Sequence, residues 1–211
     1  MADPAFRSFV RDIAAQTPAP GGGAAAARTA AMGLGLLVMV FRFSRTRKAN
    51  AERVPELDAA IASLDTAIEE MLGLDDADMA AFGEVLAAWR LPKESPAQVA
   101  ERDAKVESSL EHAMAVPMRV VEIAENATTL AEPLTPCVSR NIIADLATGV
   151  ELLSAAARSA HLMIAINATS LRDRDRARAA LLRANQTLAR LREARQKITH
   201  TATEAIDANA K

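Results

Sequence analysis

The sequence TPAPGGGAAAA, residues 17–27, sets two prolines, three glycines and a run of four alanines side by side. Prolines restrict the backbone, glycines relax it, and alanines favour an α-helix. This order predicts a rigid turn that leads into the N-terminus of a helix. The free N–H groups of a helix N-terminus attract anions or polar ligand atoms, and glycine lets a ligand approach the backbone closely.

Two interpretations of Gly21, Gly22 and Gly23 stay open at this point. Their spacing matches neither the dinucleotide-binding fingerprint nor the phosphate-binding P-loop, and a bare glycine run is normally a flexible turn. Pro18 and Pro20 on one side and a helix on the other favour a fixed turn that faces a ligand.

The helix that follows the glycines is apolar on nearly all sides as far as Thr46, which predicts a central, buried helix. Half of the 211 residues are hydrophobic, but only 3% are aromatic and none is Tyr. The core must therefore consist of Ala, Leu, Val, Ile and Met, and small Ala side chains let helices approach closely. No segment alternates with the period of two that marks strands, whereas helical periodicity dominates.

We predict a single all-α domain over residues 1–211, built as a bundle of five to six long antiparallel helices. Proline-containing segments at residues 91–92 and 132–136 break the helical pattern, and Pro117 is expected to kink the helix that contains it. The predicted helices cover residues 4–15, the glycine run to residue 46, 50–89, 96–131, 138–168 and 174–208.

Composition and charge exclude several classes of function. The net charge of −2 gives no whole-protein attraction to nucleic acid or to an anionic membrane. Cys137 is the only cysteine and the three histidines lie far apart in sequence, so no disulfide within the chain and no Cys- or His-paired metal site is predicted. The apolar run from Thr29 to Phe41 is shorter than the ~20 residues that a bilayer requires. Because the N-terminus also lacks the apolar core of a signal peptide, we expect a cytoplasmic protein.

Asp78 and Asp145 are the candidate carboxylates of a site. Each lies on a helix stripe of apolar or small residues, and Asp78 shares its stripe with Phe82, Val85 and Trp89. A buried carboxylate costs free energy unless it is paired or hydrogen-bonded. A helix cap or a structural ion pair explains either residue alone, whereas two such residues on separate helices favour a polar pocket inside the bundle.

The basic candidates have a structural explanation beside a functional one. Lys93 lies in a Leu-Pro-Lys turn, where a lone lysine is usually solvated. A basic cluster at the end of the second helix opposes the negative end of the helix dipole, or it binds an anionic substrate tail. This cluster consists of Arg42, Arg45, Arg47 and Lys48.

His161 and Asn167 are polar residues of the fifth predicted helix. We interpret His161 as a satisfied core or interface histidine rather than a catalyst. Asn167 shares a helix face with Asp145, but the two are ~33 Å apart along a straight helix and cannot serve one site within it.

Six pieces of sequence, taken in order, resemble one enzyme family. The first is residues 17–27 with AMGLGLLVMV at residues 31–40, and the second is DMAAF at 78–82. The other four are LPK at 91–93, AVP at 115–117, NIIAD at 141–145 and IN at 166–167. Together they resemble the motifs of the formimidoyltetrahydrofolate cyclodeaminase/methenyltetrahydrofolate cyclohydrolase family, over about residues 6–170.

The resemblance implies an all-helical, homodimeric enzyme of folate one-carbon metabolism. It implies a tetrahydrofolate derivative as substrate, with no metal, no further cofactor and no covalent nucleophile. One branch of the family releases ammonia from 5-formimidoyltetrahydrofolate, and the other hydrolyses 5,10-methenyltetrahydrofolate to 10-formyltetrahydrofolate. Both reactions pass through a tetrahedral carbon, which calls for a general base, a general acid and electrostatic support.

The resemblance also implies roles for the candidate residues. Asp78 and Asp145 are expected to polarise water or carry protons, and Lys93 is expected to stabilise negative charge or to orient a carboxylate. The expected binding residues are Gly21, Gly22 and Gly23 at the pterin or one-carbon unit, Arg42 and Lys48 at the glutamate tail, and Asn141.

The main hypothesis is a methenyltetrahydrofolate cyclohydrolase, because the Leu-Pro-Lys turn and the Ala after Asn167 are more similar to the stand-alone bacterial cyclohydrolases. The nearest alternative is the cyclodeaminase. A catalytically idle folate-binding or scaffold homologue is a third hypothesis, because Ala24 and Ala144 stand where many members have Ser and the usual Tyr near residues 45–50 is missing. A helical interaction protein without a ligand is the simplest alternative.

Overall fold

The computed structural model describes residues 4–208, without the side chain of Asp75. This range contains six α-helices and three short 3₁₀-helices, joined by turns. No strand occurs within it, so the all-α prediction is confirmed. The α-helices are α1 (Pro4–Ala14), α2 (Gly22–Arg45), α3 (Val54–Trp89), α4 (Pro96–Ala131), α5 (Ile143–Ser170) and α6 (Arg174–Asp207). The 3₁₀-helices are Lys48–Arg53, Glu132–Cys137 and Arg140–Ile142.

Helices α2, α3, α4 and α5 form a four-helix bundle in which each helix runs antiparallel to the next. Helix α2 packs against α3 and α5, and α4 packs against the same two helices. Helix α6 packs outside the bundle, on α4 and α5. The N-terminus of α2 therefore lies at the same end of the bundle as the C-termini of α3 and α5.

Helices α2 and α5 approach most closely at Gly33 and Gly149. A Cβ atom added to Gly33 would lie 2.8 Å from the carbonyl oxygen of Gly149, and one added to Gly149 would lie 3.0 Å from the carbonyl oxygen of Gly33. Leu37 and Leu153, both fully buried, close the space beside the crossing. Glycine is required here because the two backbones touch with no room for a side chain.

By length and composition alone, α2 and the segment Arg140–Ser170, which contains α5, could each cross a membrane, so the apolar run Thr29–Phe41 is part of a longer apolar helix. The helix around that run has 24 residues, and its most apolar window has a mean hydropathy of 1.7. In α2, however, 56% of that window is buried inside the bundle, and in α5 the share is 44%. The central helix of a bundle has this apolar composition because it is covered on most sides.

Helix α6 runs parallel to α4 and is aligned with it by a ladder of ion pairs. Glu125 is the most buried acid of the ladder, and its Oε1 accepts a hydrogen bond of 3.0 Å from Nε of Arg190. Arg190 also donates to the hydroxyl of the buried Thr187. The remaining pairs are Asp103–Arg172, Glu111–Arg176, Glu122–Arg183 and Glu132–Lys197.

Pro117 lies within α4, which continues through it without a break in its helical assignment. Since proline has no N–H, it cannot bond to the carbonyl of Ala113, four residues before it. In the structure, Nδ2 of Asn167 on α5 donates to this carbonyl oxygen at 3.3 Å. Two of the sequence pieces, AVP and IN, thus meet in one structural interaction.

We expect Asn167→Ala to lower the free energy of unfolding by about 1–3 kcal/mol, because it leaves the carbonyl of the buried Ala113 without its donor. In a Pro117→Ala background, a restored N–H supplies that donor, and the cost of Asn167→Ala should fall. Urea unfolding of the four proteins of this double-mutant cycle measures the difference. Equal costs in both backgrounds would contradict the proline explanation.

Arg119 on α4 pairs with Glu70 on α3, and this hydrogen bond holds the pKa of the Glu70 carboxyl below its ordinary value of 4.5. We expect Glu70→Gln to lower the free energy of unfolding at neutral pH by at most ~1 kcal/mol, since both partners are about two-fifths exposed. A carboxyl whose pKa is lower in the folded than in the unfolded protein stabilises the fold at pH values above its unfolded pKa. This stabilisation is lost as the pH falls through the folded pKa. The difference between the two proteins, measured by urea unfolding, should therefore shrink as the pH drops below 4.5.

Candidate active site

The N-terminus of α2 is shaped as its sequence predicts. Gly21 precedes the helix with an extended backbone, at φ −134° and ψ −152°, and no side chain caps the helix at this position. The first helical hydrogen bond runs from the N–H of Ala25 to the carbonyl of Gly21, at 3.0 Å. The N–H groups of the first turn point away from the helix toward its N-terminal end, where they favour a ligand atom that carries negative charge.

Asp78 of α3 packs directly against this N-terminus. Its carboxylate lies where a Cβ atom of residue 23 would be, so only glycine at that position lets the carboxylate reach the α2 backbone. On the α5 side, Met163 contacts Gly22, and its Sδ lies 3.6 Å from the place of a Cβ. A half-buried carboxylate and a helix N-terminus therefore share one corner of the bundle.

The predicted stripe around Asp78 is correct only in part. Val85 is buried, but Phe82 and Trp89 are 38% and 44% exposed. The buried stripe at this end of α3 runs through Ala81, Val85 and Ala88, so Phe82 and Trp89, each one position further along the helix, lie at its exposed edge.

His161 lies on α5 close to the same end of the molecule. Its Nε2 atom is buried, and no residue in the described part of the chain offers it a hydrogen-bond partner. The interpretation of His161 as a satisfied histidine is therefore wrong for this nitrogen. Asn167, by contrast, has the structural bond to Ala113 and belongs to the packing of α4 on α5.

A cleft of about 360 Å³ lies between α1 and the residues next to the glycine corner, since its lining includes Pro20, which precedes Gly21, and Met79, which follows Asp78. The guanidinium carbon of Arg28 lies 3.4 Å from the centre of the Phe9 ring, which is the buried residue of α1. Sequence reasoning missed this cleft, although the helical spacing of the aromatic and polar residues of α1 was the available signal. The lining residues are Ala5, Ser8, Phe9, Asp12, Pro20, Arg28 and Met79.

The other candidate residues lie elsewhere in the chain. Asp145 is 18 residues before Met163 on α5, which places it about 27 Å along the bundle from the glycine corner. Lys93 is exposed and lies in the turn after Trp89, the last residue of α3. Trp89 is about 16 Å along the helix from Asp78. One chain therefore brings Asp78 together with the glycines but separates both from the remaining candidates.

The end of the bundle that holds Asp145 also holds the basic cluster and Asn141. Arg42 forms an exposed ion pair with Asp65, at 2.8 Å. Nη1 of Arg47 donates to the carbonyl of Cys137 at 2.6 Å, which ties the end of α2 to the segment before α5. The cluster thus has structural partners in addition to the helix dipole. Lys48, Asn141 and the half-buried Asp145 lie at this end.

Arg45 at this end pairs with Asp58 and holds the pKa of that carboxyl below its ordinary value of 3.8, mainly through the hydrogen bond between them. Both partners are close to half exposed, so the pair positions the end of α2 against α3 with little effect on stability.

Within residues 4–208, apart from the side chain of Asp75, no group of three or more His, Cys, Asp or Glu residues is arranged to hold a metal ion. The chemistry available at the glycine corner is that of a carboxylate beside backbone N–H donors, which can take a proton from water and stabilise an oxygen that gains negative charge.

Residues 5–186 match the model of one protein family, formiminotransferase-cyclodeaminase. The chain belongs to the formiminotransferase-cyclodeaminase family. The matched range contains every candidate site residue and ends within α6.

Two curated relatives of this family member have different names, a cyclohydrolase and a formimidoyltransferase-cyclodeaminase. A methenyltetrahydrofolate cyclohydrolase of Methylorubrum extorquens is 31% identical over 169 residues, which cover 79% of this chain and 80% of the relative. The formimidoyltransferase-cyclodeaminase of Rattus norvegicus is 28% identical over 171 residues, which cover 81% of this chain. The matched region is 32% of the rat protein, so the chain spans about a third of that relative's length.

The fold of this family member also matches a solved structure. A formiminotetrahydrofolate cyclodeaminase of Thermotoga maritima superposes with a TM-score of 0.85, covering 98% of this chain and 97% of the other. At 22% identity, this likeness confirms the cyclodeaminase-like fold.

Proposed function

We propose that the protein is a methenyltetrahydrofolate cyclohydrolase, and the observation that carries the proposal is the Asp78 carboxylate seated on Gly23 at the N-terminus of α2. The cyclohydrolase of Methylorubrum extorquens supports this choice, because the two chains cover each other over about four-fifths of their lengths. The match to the rat protein, in comparison, covers a third of a longer chain.

In the proposed reaction, water attacks the methenyl carbon between N5 and N10 of the substrate. Asp78 polarises this water and accepts its proton as the new C–O bond forms. The N–H groups of the first turn of α2 stabilise the oxygen as negative charge develops on it. The C–N5 bond then breaks as the new hydroxyl releases its own proton to solvent and becomes the formyl C=O. N5 takes the proton held by Asp78 and the formyl group remains on N10, so that one proton is released overall.

This proposal is tested by the ultraviolet absorbance of methenyltetrahydrofolate, which falls as the methenyl bridge is hydrolysed. The purified protein should accelerate this loss well above the rate in buffer alone. The second candidate is the cyclodeaminase, which the family match and the rat relative support. Ammonia release from formimidoyltetrahydrofolate would identify it, and folate binding without either reaction would identify an idle homologue.

The proposal includes a cytoplasmic homodimer whose interface is the outer face of α2. This face presents Met32, Met39 and Phe43 to solvent and opens, beside α3, into an apolar groove of about 600 Å³. Gly35 lies in the middle of the face with no atom within 4 Å of where its Cβ would be, which leaves room for another helix to approach.

The charges of α2 and α3 favour an antiparallel second copy as the occupant of this groove. Helix α2 carries arginines and no acid, whereas α3 carries acids and neither Lys nor Arg. A two-fold axis near Gly35 would set the basic end of one α2 against the acidic C-terminal half of the partner's α3. It would also bring Asp145, Lys48 and Asn141 of one protomer toward the glycine corner of the other, so that two composite sites form.

We expect Phe43→Glu to convert the dimer to a monomer, because it replaces the largest exposed apolar side chain of this face by a charge. The matched control is Leu182→Glu on α6, since Phe43 and Leu182 are both 59% exposed. Light scattering coupled to size-exclusion chromatography gives the mass of each variant. A dimeric Phe43→Glu protein, or a monomeric wild type, would contradict this interface.

A mixing experiment tests the composite site. Asp78→Asn and Asp145→Asn proteins, each inactive alone, should regain about a quarter of wild-type activity after unfolding and refolding together. Random pairing makes half of the dimers heterodimers, with one chain of each variant. Each heterodimer has one of its two sites with both carboxylates, so a quarter of all sites are intact. Recovery that does not exceed the sum of the two separate activities would mean that the two residues do not act in a shared site.

A further inference from the structure

Helix α1 is oriented unlike an ordinary surface helix. Its apolar stripe, formed by Phe6, Val10 and Ile13, is 38–52% exposed. The face that it turns toward the bundle carries Ser8 and Asp12 beside Phe9. An amphipathic helix normally buries its apolar stripe, whereas burial of apolar surface in α1 accounts for Phe9 and leaves the stripe of Phe6, Val10 and Ile13 uncovered.

The cleft between α1 and the bundle combines apolar walls with two polar groups of opposite charge. The Phe9 ring, Pro20 and Met79 provide the walls, while Asp12 provides hydrogen-bond acceptors and Arg28 provides donors. The hydroxyl of Ser8 donates to Oδ2 of Asp12 at 3.4 Å, which leaves further lone pairs of this exposed carboxylate for other donors. Such a cleft suits a flat, neutral ring that has N–H donors next to a carbonyl acceptor.

The cleft lies next to the glycine corner, where the reacting carbon is proposed to bind. Met79 lines the cleft and is the residue after Asp78, whose carboxylate packs on Gly23. Their Cα atoms are about 3.8 Å apart. Pro20 likewise lines the cleft and immediately precedes Gly21. A ring held in the cleft would therefore extend toward the glycine corner.

We propose that this cleft binds the aminopyrimidinone edge of the substrate's pterin ring, with Asp12 accepting from the neighbouring amino and ring N–H groups and Arg28 donating to the ring carbonyl. The assignment rests on the proposed folate function and gives the pterin head a site of its own, beside the glycines that face the one-carbon bridge. Pro20 and Met79 cover the faces of the ring, and Arg28 is held in place by its stacking on Phe9.

The test compares Asp12→Asn and Arg28→Gln with an exposed control, Asp207→Asn on α6. The probes are 6-methyltetrahydropterin, which has the pterin head alone, and p-aminobenzoylglutamate, which has the tail alone. Both cleft variants should weaken the inhibition by 6-methyltetrahydropterin by about tenfold and raise the KM for methenyltetrahydrofolate by a similar factor, since each loses a charge-assisted hydrogen bond. The inhibition by p-aminobenzoylglutamate and the kcat should stay within about twofold of wild type.

The other possible results of this test would contradict different parts of the proposal. Unchanged inhibition by 6-methyltetrahydropterin in both variants, with an active wild type, would overturn the pterin cleft and leave the proposed function intact. An equal loss for both fragments would mean that the variants disturb α1 in general, which circular dichroism would show independently. A wild type that neither turns over methenyltetrahydrofolate nor binds tetrahydrofolate would overturn the proposed function itself.

Discussion

Asp78→Asn should lower the kcat for methenyltetrahydrofolate hydrolysis by about 100-fold or more, with little change in folding. The substitution keeps the size of the side chain but removes the carboxylate that is expected to accept the proton of the attacking water. Because the amide can still pack on Gly23, the corner of the bundle should keep its shape. The rate is measured from the absorbance of the substrate, and the fold from the unfolding curve.

The matched control is Asp76→Asn, two residues earlier on α3, where the side chain is exposed. It changes the charge of the same helix by the same amount but not at the glycine corner, so its kcat should stay near that of wild type. If the two variants lose activity equally, the effect belongs to the charge of α3 in general. If neither loses activity, Asp78 is not the general base.

Gly33→Leu should lower the free energy of unfolding by about 3 kcal/mol, the upper end of the usual range for overpacking. Its Cβ would come within 2.8 Å of the carbonyl oxygen of Gly149 and 2.9 Å of Cγ of Leu153. The first of these atoms is backbone and the second belongs to a fully buried side chain, so neither can move aside without separating α2 from α5. Urea unfolding measures the loss.

The same substitution at Gly83 on α3 is the control for Gly33→Leu. No atom lies within 4 Å of the place of its Cβ, and the residue is exposed. Since leucine favours a helix more than glycine does, Gly83→Leu should stabilise the protein by up to ~1 kcal/mol. Opposite signs for the two variants would support the close crossing of α2 and α5. A loss at Gly83 as large as that at Gly33 would refute it.

The local sequence predicted the helices well because each boundary depends on nearby residues. Helix α4, for example, begins at Pro96 after an N-cap at Ser95 that bonds to the backbone N–H of Gln98, and it ends at Ala131. The start of α5 was predicted five residues too early, since a short 3₁₀-helix at Arg140–Ile142 precedes Ile143. Periodicity does not distinguish this tighter turn from the first turn of an α-helix.

The site was predicted less completely, because its members come from distant parts of the chain. Asp78 stood out as a carboxylate among apolar residues, but nothing local revealed that Gly23 is its contact. The hydrogen bond from Asn167 to the Ala113 carbonyl, which Pro117 leaves without its helical donor, joins residues 54 positions apart. The sequence pointed to Pro117 and Asn167 separately without linking them.

By itself, the sequence determined that this protein is an all-α bundle with a glycine-bearing N-terminus on its central helix, because helix propensity, periodicity and turn residues act over a few positions. Only the tertiary structure decided that Asp78 lies at that N-terminus, that Asp145 lies about 27 Å away, and that α1 buries Phe9 while its stripe of Phe6, Val10 and Ile13 stays exposed. These outcomes depend on which helix faces touch, and that choice is set by close packing between segments far apart in the chain.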